Sequence, residues 1–129
     1  MTESNKQTAL VVEDNEDNMV LITMLLNNAG YESIWAETGE KGVQMAAEKQ
    51  PDFVILDIQL PGINGNEVLK RIRALDMDIA KVPIIAMTSY AMSGDRERLL
   101  AAGCDGYIEK PIDPMHVIDQ IRAVLAEKS

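Results

Sequence analysis

The chain has 129 residues, carries a formal net charge of −9, and is 47% hydrophobic and 26% charged. This length and composition are typical of one globular domain and exclude a disordered or collagen-like chain. The twelve basic residues never form a run longer than two, which argues against direct binding to nucleic acid, because phosphate backbones need clustered Lys and Arg.

The sequence has no signal for export, membrane insertion or disulfide bonding. It lacks a stretch of about 18 apolar residues and an apolar signal-peptide core after its polar start. A single cysteine, Cys104, excludes an intrachain disulfide. We therefore expect a cytoplasmic protein with no membrane contact, in which residues 1–7 are a flexible lead, residues 8–127 form one domain, and no effector domain follows.

Strands and helices are predicted to alternate along the chain, from short apolar runs and from apolar residues spaced three and four apart. The first half is predicted to contain a strand at Ala9–Val12, a helix over Ile22, Leu25, Leu26 and Ala29 that ends at Gly30, an edge strand at Tyr31–Ala36, a helix at Lys41–Lys49 and a strand at Phe53–Leu56. The second half is predicted to contain a helix at Asn66–Leu75, a strand at Pro83–Met87, a helix at Ser93–Ala102, a short strand at Tyr107–Ile108, and a last helix with Asp113 as N-cap and Pro114 as first residue. Strands that are apolar on both faces, alternating with helices, predict an α/β doubly wound domain with a parallel sheet.

Polar residues follow four of the five predicted strands. They are Glu13 and Asp14 after the first strand, Asp57 after the third, Thr88 after the fourth and Lys110 after the fifth. Ligands of such sheets bind beyond the carboxyl ends of the strands. Three converging carboxylates repel one another, so they either raise a pKa or recruit a cation, and oxygen ligands suit Mg²⁺.

Four motifs at these positions resemble the receiver domain of two-component response regulators. They are Val11–Asn15, Leu56–Gly62, Met87–Ser89 and Tyr107–Pro111, and the resemblance extends from about Thr8 to Glu127. It implies a (βα)5 flavodoxin-like receiver fold, with a parallel five-stranded sheet of strand order 2-1-3-4-5. It further implies a phosphorylation-controlled signalling module, not an enzyme beyond its own Mg²⁺-dependent phosphorylation and dephosphorylation.

The resemblance also implies a role for each residue of the acidic edge. Asp57 is expected to be the phosphoacceptor that attacks a phosphohistidine. Asp14, Asp57 and the backbone carbonyl of Gln59 are expected to hold Mg²⁺, with Glu13 acting mostly through water. Lys110 is expected to contact a phosphoryl oxygen.

Switching and output follow from the same resemblance. Thr88 is expected to bond a second phosphoryl oxygen, and Tyr107 is expected to turn inward as Thr88 moves. Pro111 is a candidate cis proline. We expect Tyr90, Met92 and Tyr107 to offer contact area on an interaction face. That face would be formed by the predicted strand five and the helices at Ser93–Ala102 and Pro114–Glu127, and Arg96 and Arg98 would flank it.

The expected partners are a histidine kinase or histidine phosphotransfer protein and a downstream protein target. An alternative is a receiver excised from a hybrid histidine kinase. A haloacid dehalogenase-type hydrolase also uses an aspartyl nucleophile after a strand, but it needs a second aspartate two residues later, where this chain has Gln59. A constitutive docking protein would predict loss of an acidic or lysine position, and none is lost. His116 lacks a phosphotransfer motif and is expected to be an exposed bystander.

Overall fold

The computed structural model describes residues 6–60, 62–89 and 93–128, and for residues 93–96 it describes the backbone alone. Five strands alternate with five helices over these ranges. In order they are β1 (Thr8–Val12), α1 (Glu16–Asn28), β2 (Glu32–Ala36), α2 (Gly39–Lys49), β3 (Phe53–Asp57), α3 (Gly65–Arg73), β4 (Ile84–Thr88), α4 (Ser93–Ala101), β5 (Gly106–Glu109) and α5 (Val117–Lys128). A short 3₁₀ helix at Asp78–Lys81 lies between α3 and β4.

The strands form one parallel sheet of order β2-β1-β3-β4-β5, which confirms the predicted fold and the edge position of β2. The register brings the carboxyl ends of the strands together. Val12 pairs with Ala36 on one side and with Leu56 on the other. Asp57 pairs with Met87, so the residues that follow these strands lie along one edge.

Alternate residues of the central strands enter two separate hydrophobic layers, as the strand periodicity requires. Leu10, Leu56 and Ala86 pack on the face that is covered by α2 and α3. Val11 and Ile55 pack on the opposite face, against buried residues of α1 and α5. The apolar runs are therefore covered on both faces, as predicted.

Helix boundaries differ from the predicted ones mainly at α5, which begins at Val117 and not at Pro114. The carbonyl of Asp113 accepts hydrogen bonds from the backbone N–H groups of both His116 and Val117, at 3.1 and 2.9 Å. Its side chain accepts a third from Met115 N–H at 3.0 Å. Asp113 therefore caps a tight turn that precedes the helix.

The 3₁₀ helix was not predicted, because its segment buries a single apolar side chain, Ile79.

Among the described helices, none combines the length and the apolar character that a membrane crossing requires.

Candidate functional site

Glu13 and Asp14 form the acidic loop between β1 and α1. Glu13 is fully buried, and its backbone N–H donates to the carbonyl of Ala36 at 3.0 Å, which continues the hydrogen bonding between β1 and β2. Its Oε2 accepts a hydrogen bond from Asn15 N–H at 3.1 Å. Asn15 then begins α1 by accepting a bond from Asn18 N–H at 2.9 Å through its side chain, which fixes the chain direction directly after Asp14.

Asp57 ends β3 and is 1% exposed. Both of its carboxylate oxygens have partners. Oδ1 accepts a hydrogen bond from Gln59 N–H at 2.9 Å, and Oδ2 lies 3.0 Å from Nζ of Lys110. Lys110 reaches this position because β5 ends just before it, and its own N–H bonds the carbonyl of Thr88 at 2.9 Å.

Gly65, the first residue of α3, lets the helix approach the strand end that carries Asp57. A Cβ atom built at Gly65 would lie 2.5 Å from Cα of Ile58 and 2.8 Å from the carbonyl oxygen of Asp57. Any side chain here would push α3 and the loop after Asp57 apart. The predicted helix begins one residue later, at Asn66, and the role of Gly65 was not predicted, although a glycine at a helix start is a signal for close backbone approach.

The three carboxylates converge as predicted. One oxygen each of Glu13, Asp14 and Asp57 lies within 4.8 Å of the others, and Asp14 is the exposed member. Lys110 Nζ is 3.9 Å from Glu13 Oε1. Three ionised carboxylates against one ammonium leave two negative charges, which matches a divalent cation.

Burial, reinforced by the neighbouring Asp57 carboxylate, raises the pKa of Glu13 from 4.5 to about 7. Its Oε1 is buried and accepts no hydrogen bond in the part of the chain described here. Such an orphaned acceptor costs free energy unless a cation or ordered water satisfies it. This oxygen-only donor set therefore fits Mg²⁺, a hard ion that takes one or two carboxylates and retains water.

Of the expected switch residues, Thr88 lies at this edge, and Tyr107 lies on the neighbouring strand opposite Ala86. Thr88, 3% exposed, ends β4 one residue beyond Met87, the register partner of Asp57. Tyr107 is half-buried on β5 and packs against the layer under α2 and α3. The Lys110–Pro111 peptide bond is cis.

An open cavity of about 520 Å³ adjoins Lys110. It is lined by Asn18, Leu21, Ser89, Lys110, Pro111 and Ile112. Lys110 borders this cavity and also contacts the acidic cluster, because its Nζ lies 3.0 Å from Asp57 Oδ2.

Several sequence-predicted positions lie outside the described residues. They are Pro61 of the Leu56–Gly62 motif, Tyr90 and Met92 of the interaction face, and the side chain of Arg96. Besides Gly65, a second residue with a role at the site was not predicted: the indole N–H of Trp35, on β2, donates to the carbonyl oxygen of Glu13 at 2.7 Å.

Comparison with known proteins identifies the group to which this arrangement belongs. The family model of the response regulator receiver domain matches residues 9–122. The polar-differentiation response regulator DivK of Brucella ovis is 40% identical over 121 residues, which cover 94% of this chain and 98% of that protein.

Solved structures agree with this match. The receiver domain of a sensor histidine kinase from Pseudomonas aeruginosa PAO1, with a magnesium ion in its active-site cleft, is 32% identical with a TM-score of 0.84, over 94% of this chain and 98% of that one. The chemotaxis response regulator CheY4 of Vibrio cholerae is 25% identical with a TM-score of 0.87, over 93% and 99%. The matches favour a response regulator over a dehalogenase-type hydrolase, and they do not favour the hybrid-kinase alternative. The convergent acidic edge and these similarities together show that the chain belongs to the response regulator receiver family.

Proposed function

We propose that Asp57 is the phosphoacceptor of this receiver and that its phosphorylation switches the domain. The observation that carries the proposal is the environment of the Asp57 carboxylate. It is almost fully buried, lies 3.0 Å from Lys110 Nζ and shares its edge with two further acids. A buried carboxylate beside a cation and a cluster of acids suits phosphoryl transfer, in which positioning and charge neutralisation supply most of the catalysis.

The contacts of the two Asp57 carboxylate oxygens define how each would take part in phosphoryl transfer. A carboxylate oxygen attacks the phosphorus of a phosphohistidine, an O–P bond forms, the P–N bond breaks, and the donor imidazole leaves. Gln59 N–H holds Oδ1, which orients the carboxylate. Lys110 then neutralises charge on a phosphoryl oxygen, and the Thr88 hydroxyl bonds a second one.

Asp14, Asp57 and the Gln59 carbonyl are the residues that would hold Mg²⁺, with Glu13 acting through water. Bound there, the ion supplies neutralisation between the carboxylate and the incoming phosphoryl oxygens. The orphaned Oε1 of Glu13 supports this assignment.

Incubation with Mg²⁺ and acetyl phosphate is expected to add one phosphoryl group to Asp57, with the alkali lability of an acyl phosphate. Intact-mass measurement detects the added group. Asp57→Asn is expected to abolish the addition, because the amide is not a nucleophile. The matched control is Asp52→Asn, which changes an aspartate just before the opposite end of the same strand, where it accepts a bond from Thr8 N–H. Labelling that persists in Asp57→Asn, or that resists alkali, would overturn the assignment.

Receiver domains of this family act in signalling with kinases and downstream targets. For this chain we propose a specific class of phosphoryl donor and of target. Its donor is a histidine kinase or histidine phosphotransfer protein in the cytoplasm, and its output is a protein target, without direct contact to nucleic acid or membrane. The formal charge of −9 supports the absence of a nucleic-acid partner. The acyl-phosphate chemistry is confined to Asp57 itself, within a receiver domain proposed to span residues 8–127.

A further inference from the structure

We propose that Trp35 is a positioning residue of the acidic site, which it serves by holding the peptide group between Glu13 and Asp14 in the orientation that metal binding needs. The proposal rests on the Mg²⁺ and Asp57 assignments above. Its structural basis is the 2.7 Å hydrogen bond from the Trp35 indole N–H to the Glu13 carbonyl oxygen, across 22 residues of sequence.

The sheet places Trp35 where it can reach this carbonyl. Trp35 pairs with Val11 in the β1–β2 register, and the next residue, Ala36, pairs with Val12 and accepts the N–H of Glu13. Beyond that point the β1–β2 pairing ends. Trp35 lies on the edge strand that borders the acidic loop. Its indole N–H therefore donates to the carbonyl of Glu13 at the point where the strand pairing ends.

Fixing this carbonyl fixes the position of Asp14. The Glu13 oxygen belongs to the same planar peptide unit as the Asp14 N–H, so holding one holds the other. Trp35 acts on one side of Asp14, and the bond from Asn15 N–H to Glu13 Oε2 acts on the other. Asp14 is exposed, so its own surroundings provide less restraint than those of the two buried acids.

This restraint matters because the acids repel one another before a cation arrives. A loop free to rotate would turn the exposed Asp14 carboxylate away from Glu13 and Asp57, and binding would require it to return. If only a fraction of molecules has the competent arrangement, the apparent dissociation constant rises by the inverse of that fraction. The Trp35 bond keeps this fraction high.

The test compares wild-type protein with Trp35→Phe, which keeps an aromatic ring but removes the N–H donor. Calorimetric titration with MgCl₂ is expected to show an apparent dissociation constant raised about two- to tenfold, the effect of one neutral hydrogen bond. Hydrogen exchange in metal-free protein is expected to show faster exchange at the amides of Asp14 and Asn15. Phosphorylation by acetyl phosphate is expected to slow at low Mg²⁺ and to recover at saturating Mg²⁺.

Two controls separate positioning from general damage. Ser33→Ala, two residues earlier on the same strand, is expected to leave Mg²⁺ affinity unchanged. If Trp35→Phe does not fold, replacement of Trp35 by 3-benzothienylalanine, which has sulfur in place of the N–H in a ring of nearly the same shape, gives the same comparison.

The outcomes distinguish this inference from the assignments on which it rests. Unchanged Mg²⁺ affinity and unchanged exchange at Asp14 in folded Trp35→Phe would overturn the role of Trp35 and leave the phosphoacceptor assignment intact. A wild-type protein that binds no Mg²⁺ would overturn both the metal site and the positioning role.

Discussion

At the scale of single residues, the site combines groups whose charges oppose one another. Glu13 has no accessible surface, yet it lies beside Asp57, and Lys110 is closer to Asp57 than to Glu13, at 3.0 against 3.9 Å. The half-buried Lys110 ammonium therefore compensates the charge of Asp57 better than it compensates that of Glu13. Burial, together with the neighbouring Asp57 carboxylate, favours proton uptake by Glu13 in metal-free protein, which explains the raised pKa of this group.

Metal-free protein is expected to lose stability as the pH rises. The folded state holds the Glu13 proton up to about pH 7, whereas the unfolded chain releases it near 4.5. The free energy of unfolding therefore falls as the pH rises through this interval and levels off above it. Between pH 6 and pH 8 we expect a loss of about 1 kcal/mol, measured by urea denaturation in a chelator.

Glu13→Gln should remove this loss, because the amide does not titrate. His116 is a necessary control: its hydrogen bond to Asp113 raises the pKa of the imidazole, so His116 also contributes stability that is lost as the pH rises. The comparison is therefore repeated in the His116→Gln background. An equal pH dependence with and without Glu13 would rule out this carboxyl as the source.

At the scale of elements, Arg73 joins the segments at the end of the sheet opposite to the acidic edge. From the last turn of α3, its guanidinium donates to the carbonyls of Ala80 and Val82, which flank the end of the 3₁₀ helix, at 2.9 and 2.6 Å. It also donates to the carbonyl of Gly103, after α4, at 2.7 and 3.0 Å. An ion pair with Asp105 at 2.9 Å completes the network. One side chain thus fixes two connections, the one between α3 and β4 and the one between α4 and β5.

Arg73→Ala is expected to lower the free energy of unfolding by about 3 kcal/mol, because it removes the shared donor of the Ala80, Val82 and Gly103 carbonyls. It also removes one of the two cations that pair with Asp105, which keeps Lys128 and the N–H of Ile84. Urea denaturation measures the change. The matched control is Arg71→Ala, two residues earlier, whose partner is Glu67 in an exposed i,i+4 pair. Such a pair contributes about 0.3–0.5 kcal/mol. Equal losses in the two variants would show that the network adds nothing beyond a surface pair.

A comparison of the predicted with the observed elements shows how far the sequence determines the fold. The buried strands and their order were predictable, because apolar runs and the receiver motifs indicate them directly. The start of α5 was not, because Asp113 was taken to cap a helix at Pro114, whereas its carbonyl closes a turn through His116. At the site, Trp35 was missed because its indole bonds a backbone atom 22 residues away, and no local pattern encodes such a contact. Gly65 was missed although a glycine at a helix start is a local signal, because that signal does not indicate which residues the backbone approaches.

At the scale of the whole molecule, the two ends of the sheet are restrained differently. The carboxyl end carries Thr88 and the acidic cluster, with an open cavity beside Lys110. The opposite end is held by Arg73, which bonds Gly103 just after α4. Two charge-assisted bonds from a phosphoryl group, at about 1.5–3 kcal/mol each, approach the about 5.5 kcal/mol that reverses a population from 1:99 to 99:1. Because Arg73 holds the Gly103 end of α4, we expect phosphorylation to move the Ser93 end of this helix more than its Gly103 end.

Beryllofluoride with Mg²⁺, which mimics the phosphoryl group, is expected to shift the amide resonances of Thr88, Ser89, the first turn of α4 and Tyr107 more than that of Gly103. Tyr107→Ala is expected to retain beryllofluoride binding, because the carboxylates and Lys110 remain, but to reduce the shifts in α4, because the half-buried ring no longer responds to Thr88. The matched control is Tyr31→Ala, which removes an aromatic that packs edge-on against Phe53 at 5.3 Å, just before β2 at the other end of the sheet. It should leave the pattern of shifts unchanged. If the wild-type shifts stay confined to the loops around Asp57, with α4 silent, the signal does not leave through this face.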